Sequence, residues 1–368
     1  MIDTKQFYDF LIESGVDFFA GVPDSLLANL CACIKENTPA SNNIITANEG
    51  NAVAMCAGYH LSTGKCGVVY MQNSGEGNIV NPLLSLADED VYSIPMLLLI
   101  GWRGEPGKHD EPQHVKQGKV TLSLLEAMGV DYAVLDDNYK DQLSYAIKYM
   151  NENSKPYALV IKKGTFSSYA IAPEKSDYPL LREQALETII DKLSPDDIIV
   201  STTGKTSREI FEIRERRNEG HANDFLTVGS MGHTSSIAYG VSIGTDKNVF
   251  CIDGDGSFLM HMGAMAVIGA NMPKNLKYIL NDNQAHESVG GQPTCTASID
   301  IPSIMKACGF EKVIVAADEI SIQDGIEILR ASNRACMIIK TRQGSRDDLG
   351  RPTTTPIENK TALMEKLK

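Results

Sequence analysis

Short apolar runs, each followed by a helix-length amphipathic segment, recur along the chain and constrain its fold more than any other feature. The runs are VDFFAG (16–21), GVVYM (67–71), PMLLLIGW (95–102), ALVIKK (158–163), DIIVST (197–202), FLTVG (225–229), VFCIDG (249–254), KYILND (277–282) and CMIIKT (336–341). Between them lie segments of helical length: Lys5–Ser14, Asn51–Ser62, Ser207–Arg217, Ser257–Gly269 and Ile320–Ser332. A strand apolar without alternation is buried on both faces, and strand–helix alternation supplies the cover. The pattern runs twice, around an aperiodic stretch at 164–181 that carries Ser, Pro and charge. The expected fold is therefore α/β, two mostly parallel sheets each covered by helices on both faces. The expected halves are 1–170 and 185–368, with a linker at 171–184.

Composition narrows the function. The longest strongly apolar stretch, Ile94–Trp102, is broken by Pro95 and Gly101, whereas a membrane span needs about 20 apolar residues. The N-terminal segment has acidic residues and no basic-then-apolar layout, so no secretory signal is expected. A net charge of −13 disfavours nucleic acid, which requires a basic face to displace counterions. A local positive site for a small anion stays open. The eight cysteines form no CxxC pair and most sit in apolar stretches, which reads as buried free thiols in a reducing cytoplasm.

The densest chemical signal runs from Cys251 to Thr294. One strand ends in Asp253-Gly254-Asp255-Gly256, and Ser257 opens a helix; about 20 residues on, a second strand ends in Asn281-Asp282-Asn283. Ligands bind at the carboxyl ends of parallel strands. Glycines let a phosphate approach the backbone, and a helix N-terminus favours an anion. A carboxylate beside a phosphate needs a bridging hard cation, and Mg²⁺ accepts carboxylate, amide and phosphate oxygens together. Two ordinary strand–helix turns with capping Asp and Asn would also read this way. In the first half, NEGNAVAMCAGYHLSTGK (48–65) places Glu49 just before a small-residue helix, where an acidic residue is also favoured by the helix dipole alone.

The GDG turn followed by an Asn-ending strand resembles the signature of thiamine-diphosphate enzymes. The resemblance implies that Asp255, the Asn283 side chain and the Ala285 carbonyl hold Mg²⁺, with Asp282 and the Gln284 carbonyl as the alternative pair. Gly254, Gly256 and Ser257 would belong to the diphosphate turn, and Thr203, Gly204 and Lys205 of STTGKTSRE would touch the diphosphate. Met231, in TVGSMGHTSSIAYG, would hold the cofactor in a V shape, and the Gly229 carbonyl would accept a bond from the aminopyrimidine. Glu49 would bond N1′ of that ring and promote formation of the ylide. Asn73, Gly75 and Asn78, in QNSGEGNIVNP, would lie near the same ring, beside a Glu76 that is unexpected next to an anionic substrate. Residues 1–170 would then be the pyrimidine-binding domain and 185–368 the diphosphate-binding domain, without the middle domain many such enzymes carry.

Within this class the chain is similar to the phosphonopyruvate and sulfopyruvate decarboxylases. The motifs are GVPDSLL (21–27), ANEGNAVAMCAGYHLSTG (47–64), GWRGEPGKHDEPQHVKQG (101–118), STTGKTSRE (201–209) and GSMGHTSSIA (229–238). The third is the most specific, and its physics stands without a name. Arg103, Lys108, His109, His114 and Lys116 follow an apolar strand among Gly and Pro, and Arg and Lys suit tetrahedral oxyanions. A solvated mixed-charge loop is the alternative, since Glu105, Asp110 and Glu111 share it. Asp24 and Ser25 would also face the substrate, and His233 and His286 would reach it from a partner chain. The implied reaction is decarboxylation of 3-phosphonopyruvate, a small anionic keto acid, to phosphonoacetaldehyde and CO₂ in phosphonate biosynthesis. Sulfopyruvate decarboxylation is the near alternative, and an inactive regulatory subunit is the alternative from another class. The expected assembly is a cytoplasmic homo-oligomer, at least a dimer. No GxGxxG follows the early strands, which speaks against a nicotinamide enzyme.

Overall fold

The computed structural model describes residues 1–169 and 176–368, so part of the expected linker lies outside the described residues. The chain divides into two compact units, Met1–Pro173 and Glu174–Lys368.

The first unit contains six strands: β1 Phe19–Gly21, β2 Asn43–Ile45, β3 Gly67–Gln72, β4 Met96–Gly101, β5 Asp131–Val134 and β6 Tyr157–Ile161. They form one sheet in the order β2-β1-β3-β4-β6-β5, and every pairing is parallel. Alternate residues explain the continuous apolar runs. Phe19, Val68, Tyr70, Leu97, Leu99 and Leu159 enter one core layer, while Ala20, Val69, Met71, Leu98, Ile100 and Val160 enter the other. Each layer is closed by helices, so a strand needs apolar side chains in both directions.

The second unit contains β7 Ile198–Ser201, β8 Asp224–Leu226, β9 Val249–Gly254, β10 Leu276–Asp282, a two-residue hairpin pair β11 Ala285–His286 and β12 Gln292–Pro293, then β13 Lys312–Ala316 and β14 Ala335–Lys340. The main sheet runs β13-β14-β10-β9-β7-β8, again all parallel. Read from the other edge, this is the connectivity of the first unit, with the β11–β12 hairpin inserted after the fourth strand. In each unit the chain passes from one side of its first strand to the other, which opens a crevice at the strands' carboxyl ends.

Three strands escape a reading of apolar runs: β2, β5 and β13. All three are half-exposed, and β2 and β5 are short and polar at one end. The expected helix Ser257–Gly269 is two helices, Asp255–Met260 and Ala264–Asn271, broken where His261 leaves helical geometry ahead of Gly263. The helix Arg182–Asp191 starts inside the expected linker, because the Gln184 side chain accepts from the Leu181 N–H and the Arg182 side chain is buried. The cysteines are all free, but Cys295 is exposed and Cys308 half-buried, so the expectation of buried thiols holds for the other six only. Among the described residues no helix is long and apolar enough to cross a membrane.

Candidate active site

In the first unit Glu49 is the first residue of the helix Glu49–Thr63, whose N-cap Asn48 accepts from the Asn51 N–H through its side chain. The helix is lined by small residues and lies close to the chain after β3. Its Glu49 carboxylate is wedged there: a Cβ on Gly75 would fall 2.4 Å from Oε1, so only glycine fits. Asn78 Nδ2 donates to Oε2 at 2.6 Å. Burial raises the Glu49 pKa, and the Asn78 bond works against that rise. The arrangement is a buried carboxyl with one oxygen held by Asn78.

Asn73 follows β3 and is buried. It donates to the Arg103 carbonyl at 2.8 Å and to Thr121 Oγ1 at 2.9 Å, and its Oδ1 accepts from the Arg103 N–H. It therefore clamps the exit of β4. Glu76 is 2% exposed, and its Oε1 has no hydrogen-bond partner. Burial pushes its carboxyl up to about 8, with the Thr121 hydroxyl opposing. Burial thus favours the uncharged form of the side chain.

Asp24 and Ser25 follow β1 and meet Arg103 at the end of β4. Ser25 Oγ accepts from Arg103 Nη1 at 2.9 Å. Asp24 has no exposed surface; its Oδ2 accepts from the Leu26 N–H, and its Oδ1 has no partner. Burial raises its pKa to about 6, against the pull of Arg103. Arg103 itself is gripped by Asp110 through Nε and Nη2, at 2.8 and 2.5 Å. Burial alone would raise the Asp110 carboxyl, but the guanidinium holds it well below the usual range. The expected basic loop is therefore partly neutralised by its own acids, and it ends early: helix Pro112–Ala127 takes up His114, which is buried, and Lys116. Lys108 and His109 are exposed at the turn, and Lys108 joins no ion pair among the described residues.

In the second unit the strand ends converge similarly. Thr203 Oγ1 donates to the Val228 carbonyl at 2.7 Å, Gly204 has φ of 89°, and Lys205 opens the helix Lys205–Arg217. Lys205 and Arg182 both pair with Glu287, at 3.1 and 2.6 Å, and Arg182 makes a second, bidentate pair with buried Glu209. Met231 projects from a tight turn after β8 in which Ser230 and Gly232 both have positive φ; Gly229 lies just before it. The Gly232 N–H donates to Ser257 Oγ, which ties this turn to the Gly254–Ser257 turn after β9.

Asp255 is buried. Its Oδ1 accepts from the Gly256 N–H and its Oδ2 from Thr294 Oγ1, both at 2.9 Å. Burial, then the nearby Asp282, raises its pKa. Asp282 accepts from Lys340 Nζ, Thr296 Oγ1 and the Gln284 N–H. Asn283 Oδ1 accepts from the Ala285 N–H, and its Nδ2 donates to Glu287. Gln284 adopts a left-handed conformation, φ 61°, and its carbonyl accepts from the Thr294 N–H. Among the described residues no three His, Cys, Asp or Glu side chains converge on a metal position. Asp255, the Asn283 amide and main-chain oxygens at these strand ends are a donor set that suits Mg²⁺ with phosphate and water completing its shell.

Sequence reasoning missed three participants. Thr121 lies on a helix far along the chain and enters only by packing against Asn73. The His261 ring sits 4.5 Å from that of exposed His233, at the helix break. Gln292 is buried opposite His286 on the hairpin. Only the periodicity break at Gly263 and the Gly-Gly before Gln292 left a trace in the sequence.

Residues 4–126 match the thiamine pyrophosphate enzyme N-terminal TPP binding domain, and residues 202–339 match the C-terminal TPP binding domain. The chain is 33% identical to a phosphonopyruvate decarboxylase of Streptomyces viridochromogenes, over 97% of this chain and 93% of the relative. It is 32% identical to a phosphonopyruvate decarboxylase of Streptomyces hygroscopicus, over 97% and 92% of the two chains. It is 33% identical to a sulfopyruvate decarboxylase of Methanosarcina acetivorans, over 81% and 80%. With two matching domains and relatives aligned across nearly its full length, the chain belongs to the thiamine pyrophosphate enzymes, in the family of the phosphonopyruvate and sulfopyruvate decarboxylases.

Proposed function

We propose that the protein decarboxylates 3-phosphonopyruvate to phosphonoacetaldehyde and CO₂, with thiamine diphosphate and Mg²⁺. The observation that carries this reading is Glu49, a buried carboxyl wedged against Gly75 and held by Asn78, in a chain whose other unit keeps the Asp255 turn and the Asn283 strand end. Both groups are present, which speaks against an inactive subunit. Bound thiamine diphosphate supplies a carbon nucleophile and an electron sink for the electron pair left by CO₂. Glu49 shares its proton with the pyrimidine ring nitrogen and so controls the ring's tautomer. Met231 supports the rings, and the Gly229 carbonyl accepts from the ring amine. Thr203, Gly204 and Lys205, with the Gly254–Ser257 turn, receive the diphosphate.

Asp255, the Asn283 oxygen and the Ala285 carbonyl hold Mg²⁺. Asp282, the alternative ligand, is paired with Lys340. A lysine ammonium on one carboxylate disfavours a dication there. Arg103, Lys108 and His109, with Ser25, receive the phosphonate. The pyrimidine and diphosphate ends belong to different units, which supports a homo-oligomer, at least a dimer, in which sites are shared between copies. Its place is the cytoplasm, in keeping with the free thiols.

Purified protein, loaded with thiamine diphosphate and Mg²⁺, is to be given phosphonopyruvate and sulfopyruvate in turn while CO₂ is measured. Phosphonopyruvate should show the higher kcat/KM, and chelation of Mg²⁺ should abolish activity until the ion is returned. Faster use of sulfopyruvate, or no CO₂ from either, would overturn the assignment.

A further inference from the structure

Gln292 lies on β12 opposite His286 on β11. Directly opposed residues of an antiparallel pair put their side chains on the same face. On that face the His286 ring reaches Gly256, where a Cβ would fall 2.8 Å from Nδ1 and 3.1 Å from Met231 Cε. The hairpin, the Met231 turn and the Asp255 turn therefore meet at one point. Gln292 is 2% exposed, as deeply buried as Asp255 and Asn283, and its Nε2 has no hydrogen-bond acceptor among the described residues.

A buried N–H with no acceptor is unfavourable and uncommon. A leucine would fill similar space without that penalty, so the amide makes sense if a ligand brings the acceptor. The diphosphate end already has donors in the Thr203–Lys205 turn, in the helix start at Asp255 and in the cation Lys205. Beside Met231 the incoming acceptor belongs to the reacting end of the substrate. A neutral amide suits a carboxylate about to leave as CO₂. A cation there would stabilise the charged ground state more than a transition state in which that charge is departing.

We propose that Gln292, with His286 beside it, hydrogen-bonds the carboxylate of the bound keto acid next to Met231. This rests on the thiamine reading of the site.

The test uses Gln292→Leu and Gln292→Glu in the full chain. Gln292→Leu should bind thiamine diphosphate with parental affinity by calorimetric titration and melt at the parental temperature or above, because no protein hydrogen bond is lost. Its kcat/KM for phosphonopyruvate should fall about 10- to 100-fold. The inhibition constant of pyruvate, which keeps the carboxylate but lacks the phosphonate, should rise by the same factor. Gln292→Glu, which adds a repelling charge, should lose more of both. Parental kcat/KM in Gln292→Leu, a loss that spares pyruvate inhibition, or a loss of cofactor affinity would each overturn the proposal. Failure of the thiamine reading would look different, since the parent itself would bind no cofactor and release no CO₂.

Discussion

Glu76 shows how a single residue can be misjudged by its formal charge. Its carboxyl lies in the protein interior with one oxygen unpaired, and burial raises its pKa from 4.5 to about 8. The folded chain thus keeps a proton that the unfolded chain releases above about pH 4.5, and stability falls as pH rises between those values. Below that window the group has no pH-dependent effect, and above it the loss is complete. Glu76→Gln keeps the shape and cannot ionise. Its melting temperature should match the parent below about pH 4 and exceed it by about 2–4 °C or more near pH 8.5, the shift expected for about 1 kcal/mol in a unit of this size. A difference that stays constant across that range, read by thermal melts in a pH series, would show that Glu76 titrates normally. At this scale the sequence was informative where a residue's neighbours in space are also its neighbours in the chain. Asp255 and Asn283 stood out for that reason. Thr121 and Gln292 did not, because their settings are made by packing between distant segments.

In the proposed reading, the turn between β4 and the helix Pro112–Ala127 is the element on which substrate choice depends. Counting its charges in sequence suggests a basic loop, yet Arg103 is paired to Asp110, and Lys162 to Glu105. The cation left to meet a ligand is Lys108, on an exposed stretch next to Gly107 with its φ of 83°. Lys108→Ala should lower kcat/KM for phosphonopyruvate about tenfold or more, the loss of one charge-assisted bond, and leave pyruvate inhibition unchanged. Arg103→Ala should impair both, because it also releases Asp110 and the Ser25 contact. Equal losses for both ligands in Lys108→Ala, measured by steady-state kinetics, would make the turn a structural brace. The strand elements were legible because apolar runs demand cover on both faces. The pairing of Arg103 was not, since Asp110 could equally have faced solvent.

At the scale of the whole molecule the two units keep separate cores, and the residues proposed for the cofactor are drawn from both. If sites are shared between copies, chains carrying Glu49→Gln and chains carrying Asp255→Ala should each be nearly inactive alone. Mixed and reassembled, they should regain roughly a quarter of parental activity, because random pairing makes half the dimers hybrid and each hybrid has one intact site. Activity of the mixture no greater than that of its components, in the same CO₂ assay, would mean that each chain completes its own site.

The repeated strand order has a consequence for how such a chain can change length. Because all main-sheet strands are parallel, the chain must return through a crossover before it can reach the carboxyl edge again. Asp24, Glu49, Gly75 and Arg103 therefore recur at intervals of about 25 residues, and so do Thr203, Met231, Asp255 and Asn283. Insertions and deletions at the opposite edge, where each strand begins, can lengthen or shorten that interval without moving a strand end. The chemistry is thereby insulated from most of the chain's own variation in length.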